Sequence, residues 1–427
     1  MEYRGKKVHF IGIGGIGMSA LAQYFLDQGA HVTGSDREVS PTTELLGKKG
    51  IQVVSGQKAE NVPAGTEMIV YSDSVPENNP ERVRATDLGI TQISYFAMLG
   101  KISEGKYTIA VSGTHGKTTT TGMLAKILHD SGADETAIVG SIVKDFQSNY
   151  LHGDSNMFVV EACEYKNHLL ELSPHILVIT NLEWDHTDYF PSLTSLQDTF
   201  KKAIARVPAN GAIVTDPQNR NITSLLTNAK ARIIDYTKEP AYNLRLPGEF
   251  NQNNARAAAA ATRAVRPEIM DDSIATSLSN FHGTWRRFEY KGKTKSGADV
   301  YDDYAHHPTA VRETLKALRA KTKGKIIVAF HPHLYSRTRD LLKEFATAFS
   351  DADKVFIAPI YAAREVDDGS ISSEILAERI RATGTIAVAL SSFSEIERSL
   401  SEAAQDDVIM TMGAGDIYKV ADALVKK

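Results

Sequence analysis

The residues Ala110-Val111-Ser112-Gly113-Thr114-His115-Gly116-Lys117-Thr118 set two glycines, a lysine and a hydroxyl in the order a phosphate-binding loop needs. Backbone N–H groups of Gly113, Thr114, His115 and Gly116 would cradle phosphate oxygens, and Lys117 would neutralise the outer phosphates. The Thr118 hydroxyl, with Thr119 beside it, would face Mg²⁺. Strict Walker spacing would put a glycine where Val111 stands, so a plain turn stays open. Threonine in four consecutive positions, Thr118 to Thr121, is a poor choice for a helix on propensity alone, which speaks against the plain turn.

Phosphoryl transfer also needs hard oxygen ligands at the ends of neighbouring strands. Glu161 ends the apolar run from Met157, with Glu164 close behind, and Asn181, Asp185 and His186 follow the run Ile176 to Thr180. Further on, Asp302-Asp303-Tyr304-Ala305-His306-His307-Pro308 and His331-Pro332-His333-Leu334-Tyr335-Ser336-Arg337 both follow strand-like runs, and their basic and imidazole groups suit an anionic substrate. Arg286 and Arg287 could reach phosphate. Zinc is the rival reading of the histidines, but neither H-E-x-x-H nor a cysteine pair accompanies them. Near the N-terminus, Gly12-Ile13-Gly14-Gly15-Ile16-Gly17 satisfies G-x-G-x-x-G, with Asp36 ending the next strand. A dinucleotide, another nucleoside diphosphate and a structural turn all fit those residues.

The elements that must position these groups are strand and helix alternations. Val8–Ile11, helical Met18–Leu26 and Val32–Ser35 form a βαβ unit, and Met68–Tyr71 continues it. A second unit runs from the strand Tyr107–Val111 through a helix Thr118–Asp130. Its further strands are Met157–Val160, Ile176–Thr180 and Ala212–Val214, and it closes with an alanine-rich helix Asn254–Val265. These strands show no polar alternation, as expected of parallel strands covered on both faces. A third alternation comprises strands Asp299–Asp303, Lys325–Phe330, Lys354–Ile357 and Val408–Thr411, with helices Thr309–Leu318 and Arg337–Phe349.

Composition limits what such a chain does. At 427 residues it is too long for one core. With 48 basic against 52 acidic side chains there is no cationic surplus for nucleic acid. One cysteine, Cys163, cannot form an internal disulfide and fits a reducing cytoplasm. No apolar stretch is long enough to insert in a bilayer, and the N-terminus has no secretory pattern.

In order and spacing, Gly12–Ala20, Gly113–Thr121, Glu161–Glu164, Asn181–Asp188, Gly248–Asn254, Trp285–Glu289, Asp302–Pro308, Pro332–Arg339 and Gly413–Val420 resemble the Mur ligase family of peptidoglycan synthesis over the whole chain. The resemblance is nearest to members that add the first amino acid. It implies an α/β protein of three domains: residues 1–104, Rossmann-like and holding the UDP-sugar; 105–283, a central P-loop ATPase with a parallel sheet; and 284–427, Rossmann-like and receiving the amino acid. By the same likeness Gly12, Gly14, Gly15, Gly17 and Asp36 would hold UDP. ATP would meet Gly113 to Thr119, Asn254 at adenine, Arg287 at a phosphate and Asp303 at the ribose. Lys117, Glu161 and His186 would be catalytic, and Thr118, Glu161 and His186 would ligate Mg²⁺. His306, His333 and Arg337 would receive L-alanine. The implied reaction joins L-alanine to the lactyl carboxylate of UDP-N-acetylmuramate through an acyl phosphate, in a cytoplasmic monomer or homodimer. A murein-peptide ligase on the same UDP-sugar is the alternative, and a nicotinamide-dependent dehydrogenase a distant one. Phe250, His331, Leu334 and Cys163 depart from the family's usual histidine, glutamine, arginine and aspartate.

Overall fold

The computed structural model describes residues 3–426 and contains three α/β sheets. The first joins β1 (Lys7–Ile11), β2 (His31–Asp36), β3 (Gln52–Ser55), β4 (Met68–Tyr71) and β5 (Thr91–Ser94) in the order β3-β2-β1-β4-β5, all parallel. The order reverses beside β1, which opens a crevice at its C-terminal end, where Gly12 to Gly15 lie.

The second sheet comprises β6 (Tyr107–Ser112), β7 (Thr136–Val143), β8 (Ser148–Leu151), β9 (Met157–Glu161), β10 (Ile176–Ile179), β11 (Ala212–Thr215) and β12 (Arg232–Asp235). Its order is β12-β11-β10-β6-β9-β7-β8, and only β7 with β8 is antiparallel. Here β6 is central, flanked by β10 and β9, so the loop after β6 emerges at the reversal of strand order. All four residues of β10 and of β11 are buried, which accounts for their unbroken apolar sequence.

The third sheet joins β13 (Glu289–Lys293), β14 (Asp299–Asp303), β15 (Ile326–Phe330), β16 (Lys354–Ile357), β17 (Ile386–Ala389) and β18 (Val408–Met412) in the order β13-β14-β18-β15-β16-β17. Alternate residues of β15 serve two cores. Ile326, Val328 and Phe330 pack with Val311, Leu315 and Phe345, whereas Ile327 and Ala329 pack with Ile396, Leu400 and Val420. The period-2 geometry of a strand thus feeds both helical layers from one apolar run.

Packing divides the chain into two compact units. One is Met1–Leu182, Gln197–Asn243 and Asn254–His282, and the other is Glu183–Leu196, Leu244–Asn253 and Gly283–Lys427. The first carries the first two sheets, and the second carries the third. Two helices differ from expectation. The alanine-rich helix starts earlier, at Glu249. The expected helix Arg337–Phe349 is two, Tyr335–Asp340 and Leu342–Ala348, because Leu341 (φ −109°, ψ 21°) leaves the helical region. No helix among the described residues is long and apolar enough to cross a membrane.

Just before β7, Glu135 is 1% exposed and neither carboxylate oxygen has a hydrogen-bond partner. Burial, reinforced by Asp134 and Asp130 and opposed by its own backbone and Arg266, pushes its pKa from 4.5 up to about 8. The folded state therefore keeps a proton that the unfolded chain releases above about 4.5. This contribution favours folding at low pH and is lost as pH rises towards 8. Glu135→Gln removes the titration, so the wild-type loss of stability between about pH 5 and pH 8.5, on the order of 3 kcal/mol from this group, shrinks in the variant. Urea unfolding at both pH values measures it, and equal pH slopes in the two proteins would refute the assignment.

Candidate functional site

In the first unit the loop after β6 is shaped by its neighbours. Gly113 has φ 127°, and a side chain there would strike the Thr180 hydroxyl and the Asn181 carbonyl; at Gly116, φ 82°, it would strike the Asn254 amide. Glycine is required at both places by conformation and by space. The clamp is polar. Asn181 Oδ1 accepts from His115 N at 2.9 Å, the Asn181 carbonyl accepts from Thr114 N at 3.2 Å, and the Thr180 hydroxyl donates to the His115 carbonyl at 2.6 Å.

Gly116 caps the helix Lys117–Asp130, so Lys117 is its first residue, where the helix dipole favours an anion. Three of the four threonines that propensity would not choose have a task. Thr118 donates to Glu161 Oε1 at 3.1 Å, Thr120 to Asn254 Oδ1 at 3.3 Å, and Thr121 to the Lys117 carbonyl at 2.8 Å, while Thr119 is buried. Glu161 Oε2 accepts from Gly140 N at 2.8 Å, which aims the other oxygen at Thr118. Asn254, expected at adenine, has its carbonyl end on Thr120 beneath the loop.

Lys117 Nζ donates to the Gly113 carbonyl at 2.5 Å, the Thr114 carbonyl at 3.2 Å and Glu164 Oε1 at 2.9 Å. Its side chain is 15% exposed and that of Glu164 1%. Burial favours the neutral amine, but Glu164 and Glu161 outweigh it and hold the Lys117 pKa above the ordinary value. Glu164 is the partner that strand-end reasoning noticed without giving it a role.

The N-terminal glycine loop is also tightly fitted. Asp36 Oδ2 accepts from Gly14 N at 2.8 Å, and a side chain at Gly14 would strike Thr43 and Asp36. At Gly17 a side chain would strike the Tyr95 ring. Gly12 (φ 78°) donates its N–H to the Ser35 carbonyl at 2.9 Å, and Gly15 caps the helix Ile16–Asp27. That helix is tied to β8 by buried polar groups: Asn149 Nδ2 donates to the Ser19 hydroxyl at 2.9 Å and to the Ile16 carbonyl, and Gln23 Nε2 donates to Asn149 Oδ1 at 2.9 Å. Isolated amides in a sequence give no sign of such pairing.

The second unit gathers His306, His333 and Arg337 with Asp185. Arg337 is 1% exposed; its Nε donates to Asp185 Oδ1 at 2.8 Å and Nη1 to His333 Nδ1 at 2.8 Å. A guanidinium only donates, so His333 Nδ1 carries the lone pair and the proton sits on Nε2. His306 has the opposite tautomer, because its Nδ1 faces the Tyr304 carbonyl at 2.9 Å and must donate, leaving the lone pair on Nε2. Burial, then Arg337, pushes the pKa of His333 down to about 3 and that of His306 well below the usual value, so both are neutral imidazoles. Asp185 resists its own burial because the Arg337 guanidinium beside it holds it well below the carboxylate range. His186 N donates to Asp185 Oδ1 at 2.7 Å from a left-handed backbone (φ 54°).

Arg286, expected within reach of phosphate, is committed internally instead. It pairs with Asp302 at 2.8 Å, donates to the Gly415 and Gly413 carbonyls at 2.8 and 2.7 Å, and is 4% exposed. Arg287 lies over the Tyr304 ring at 4.9 Å. Asp303 accepts from Phe288 N at 2.8 Å and Ala305 N at 2.7 Å, and burial, opposed by Arg287, pushes its pKa up to about 6. A cavity of about 420 Å³ between the stretch Leu244–Gln252 and the helix Pro308–Arg319 touches none of the expected site residues.

Three consecutive stretches of the chain match known families. Residues 7–107 match the Mur ligase family, catalytic domain, 111–243 the Mur ligase middle domain, and 286–415 the Mur ligase, glutamate ligase domain. The UDP-N-acetylmuramate--L-alanine ligase of Acetivibrio thermocellus is 40% identical over 99% of this chain and 96% of that protein, and that of Clostridium kluyveri is 38% identical over 98% of both. Among solved structures, the UDP-N-acetylmuramate-alanine ligase of Thermotoga maritima superposes with a TM-score of 0.80 at 27% identity, covering 98% of each chain. A murein peptide ligase of Psychrobacter arcticus shares the fold, with a TM-score of 0.76 at 24% identity over 99% of this chain and 98% of that one.

Two measurements check the electrostatics of the second unit. Arg337→Gln strands the buried Asp185 carboxylate and is expected to cost about 3–5 kcal/mol in urea unfolding, with much of it regained in Arg337→Met/Asp185→Leu; a loss below about 1 kcal/mol would contradict the buried pair. In NMR of histidine-labelled protein, the His306 and His333 rings are expected to stay neutral from about pH 8 to pH 5, whereas an ordinary imidazole titrates near 6.5. A midpoint near 6.5 for either ring would rule out the environment described.

Proposed function

This chain belongs to the Mur ligase family, and we propose that it uses ATP to join L-alanine to the lactyl carboxylate of UDP-N-acetylmuramate. It is an ATP-dependent ligase of peptidoglycan precursor synthesis, the supply on which cell-wall growth, shape and division draw. The observation that carries the reaction type is the buried Lys117 ammonium at a helix start, with the Thr118–Glu161 pair beside it. The full-length likeness to L-alanine ligases supports the choice of substrates.

A lactyl carboxylate oxygen attacks the γ-phosphorus of ATP, the bond to the β,γ-bridging oxygen breaks, and ADP leaves. Lys117 and the N–H groups at the start of its helix, Gly116 to Thr119, stabilise the charge on the transferring group, whereas the Thr114 and His115 N–H groups are spent on Asn181 and shape the loop. The amine of L-alanine then attacks the acyl phosphate carbonyl, loses a proton, and expels inorganic phosphate. The Thr118 hydroxyl and Glu161 carboxylate, 3.1 Å apart, are hard oxygen donors of the kind Mg²⁺ takes and would hold it, and His186 would add an imidazole ligand. When bound, the metal supplies positive charge to the phosphates.

Residue by residue, we assign Gly12, Gly14, Gly15, Gly17 and Asp36 to the UDP moiety, with Asp36 acting by fixing Gly14. We assign Asn254, Arg287 and Asp303 to ATP, and His306, His333 and Arg337 to L-alanine. The neutral Nε2 of His306 suits accepting from an amine, and Arg337 orients His333. We place the domain limits at 1–104, 105–283 and 284–427, and the chain in a reducing cytoplasm, as a monomer or homodimer.

Phosphate release with ATP, Mg²⁺ and UDP-N-acetylmuramate is expected to depend on L-alanine, with little turnover when a tripeptide replaces it. Greater activity with the tripeptide would select a murein-peptide ligase instead. Lys117→Ala is expected to lower kcat by about 10²–10³-fold, the scale of removing one charge-stabilising donor. Full activity in that variant would remove Lys117 from the chemistry.

A further inference from the structure

We propose that Glu164 is a positioning residue whose carboxylate competes with the terminal phosphate of ATP for the Lys117 ammonium, and must leave for that phosphate to bind. This rests on Gly113–Thr118 being the ATP loop.

An ammonium has three donors and no acceptor. All three of Lys117 are engaged, two by the carbonyls of Gly113 and Thr114 and one by Glu164 Oε1 at 2.9 Å. A phosphate oxygen reaching Nζ has to replace one of them. The carbonyls belong to a loop clamped by Thr180, Asn181 and Asn254, so they stay. Glu164 is a side chain, and a phosphate on the same ammonium would repel its charge at close range.

The backbone just after Glu164 is strained. Lys166 (φ 51°, ψ 26°) and Asn167 (φ 63°, ψ 18°) are consecutive non-glycine residues in the left-handed region, which L side chains adopt at a cost. Tertiary contacts keep them there. Asn167 Oδ1 accepts from the Thr199 hydroxyl at 2.5 Å, Asn167 N donates to the Glu164 carbonyl at 3.1 Å, and the His168 ring stacks on Phe96 at 3.6 Å. Relaxation of that pair gives Glu164 a route away from Lys117 without disturbing β9, which ends at Glu161.

Removing the competing carboxylate should therefore tighten ATP binding, the opposite of removing a ligand. Titration calorimetry on the full-length chain with MgATP and with MgADP, without the other substrates, tests this. Glu164→Gln and Glu164→Ala are both expected to bind ATP about tenfold tighter than wild type, the equivalent of one lost charge competition, and ADP within about twofold. Unchanged or weaker ATP binding in both variants overturns the proposal, as does an equal gain for ADP. If the wild-type chain binds no ATP, the assignment of the loop itself fails, and this proposal with it.

Discussion

Burial of the Lys117 ammonium constrains the whole first unit. A charge taken out of water must be surrounded by acceptors, and here they are two loop carbonyls and a carboxylate. For the carbonyls to point inwards the loop must turn through left-handed positions that only glycine tolerates in the space left by Thr180, Asn181 and Asn254. For Thr180 and Asn181 to press on the loop, β10 must lie next to β6, and for Glu161 to reach Thr118, β9 must lie on its other side. The central position of β6 and the reversal of strand order around it are thus consequences of holding one cation at one strand end.

The second unit solves a different problem with the same currency of buried charge. Arg337 and Asp185 neutralise each other, and the imidazoles around them are kept neutral by burial and by the arginine. Their tautomers are opposed, so the pair presents an N–H from His333 and a lone pair from His306. One donor and one acceptor imidazole thus lie side by side without a mobile proton of their own, the polarity that the proposed L-alanine assignment draws on.

Much of this was legible in the sequence wherever a residue's type is dictated by a strand end. The apolar runs of β1, β6, β9, β10, β14, β15, β16 and β18 and the glycine, acidic and histidine loops after them follow from both faces of each sheet being covered. Edge strands were less legible: β3, β12 and β17 are partly exposed, and β3 and β12 carry only two apolar residues each. Arg286 and Arg337 read as cations for an anionic ligand because nothing local marks Asp302 or Asp185 as their partners, the latter 152 residues away. Lys117–Glu164 and Asn149 with the helix Ile16–Asp27 were hidden for the same reason, since pairing across 47 and 130 positions is set by sheet order and not by spacing.

Leu334 shows how far side-chain identity can be separated from loop geometry. It sits at φ 71°, ψ 137°, a conformation unfavourable for a branched residue, yet it is 1% exposed and donates its N–H to the Tyr361 carbonyl at 2.9 Å. The same turn is held from the far side, where Tyr361 N donates to the Pro332 carbonyl at 2.9 Å and the Tyr361 ring lies 5.6 Å from that of His333. Burial of the leucine thus offsets the backbone strain, and the strained turn in turn fixes where His333 and Arg337 point. A charged side chain at 334 would have to be desolvated or leave the core. In this chain the position serves as an apolar anchor that holds the imidazoles and the Arg337–Asp185 pair in place.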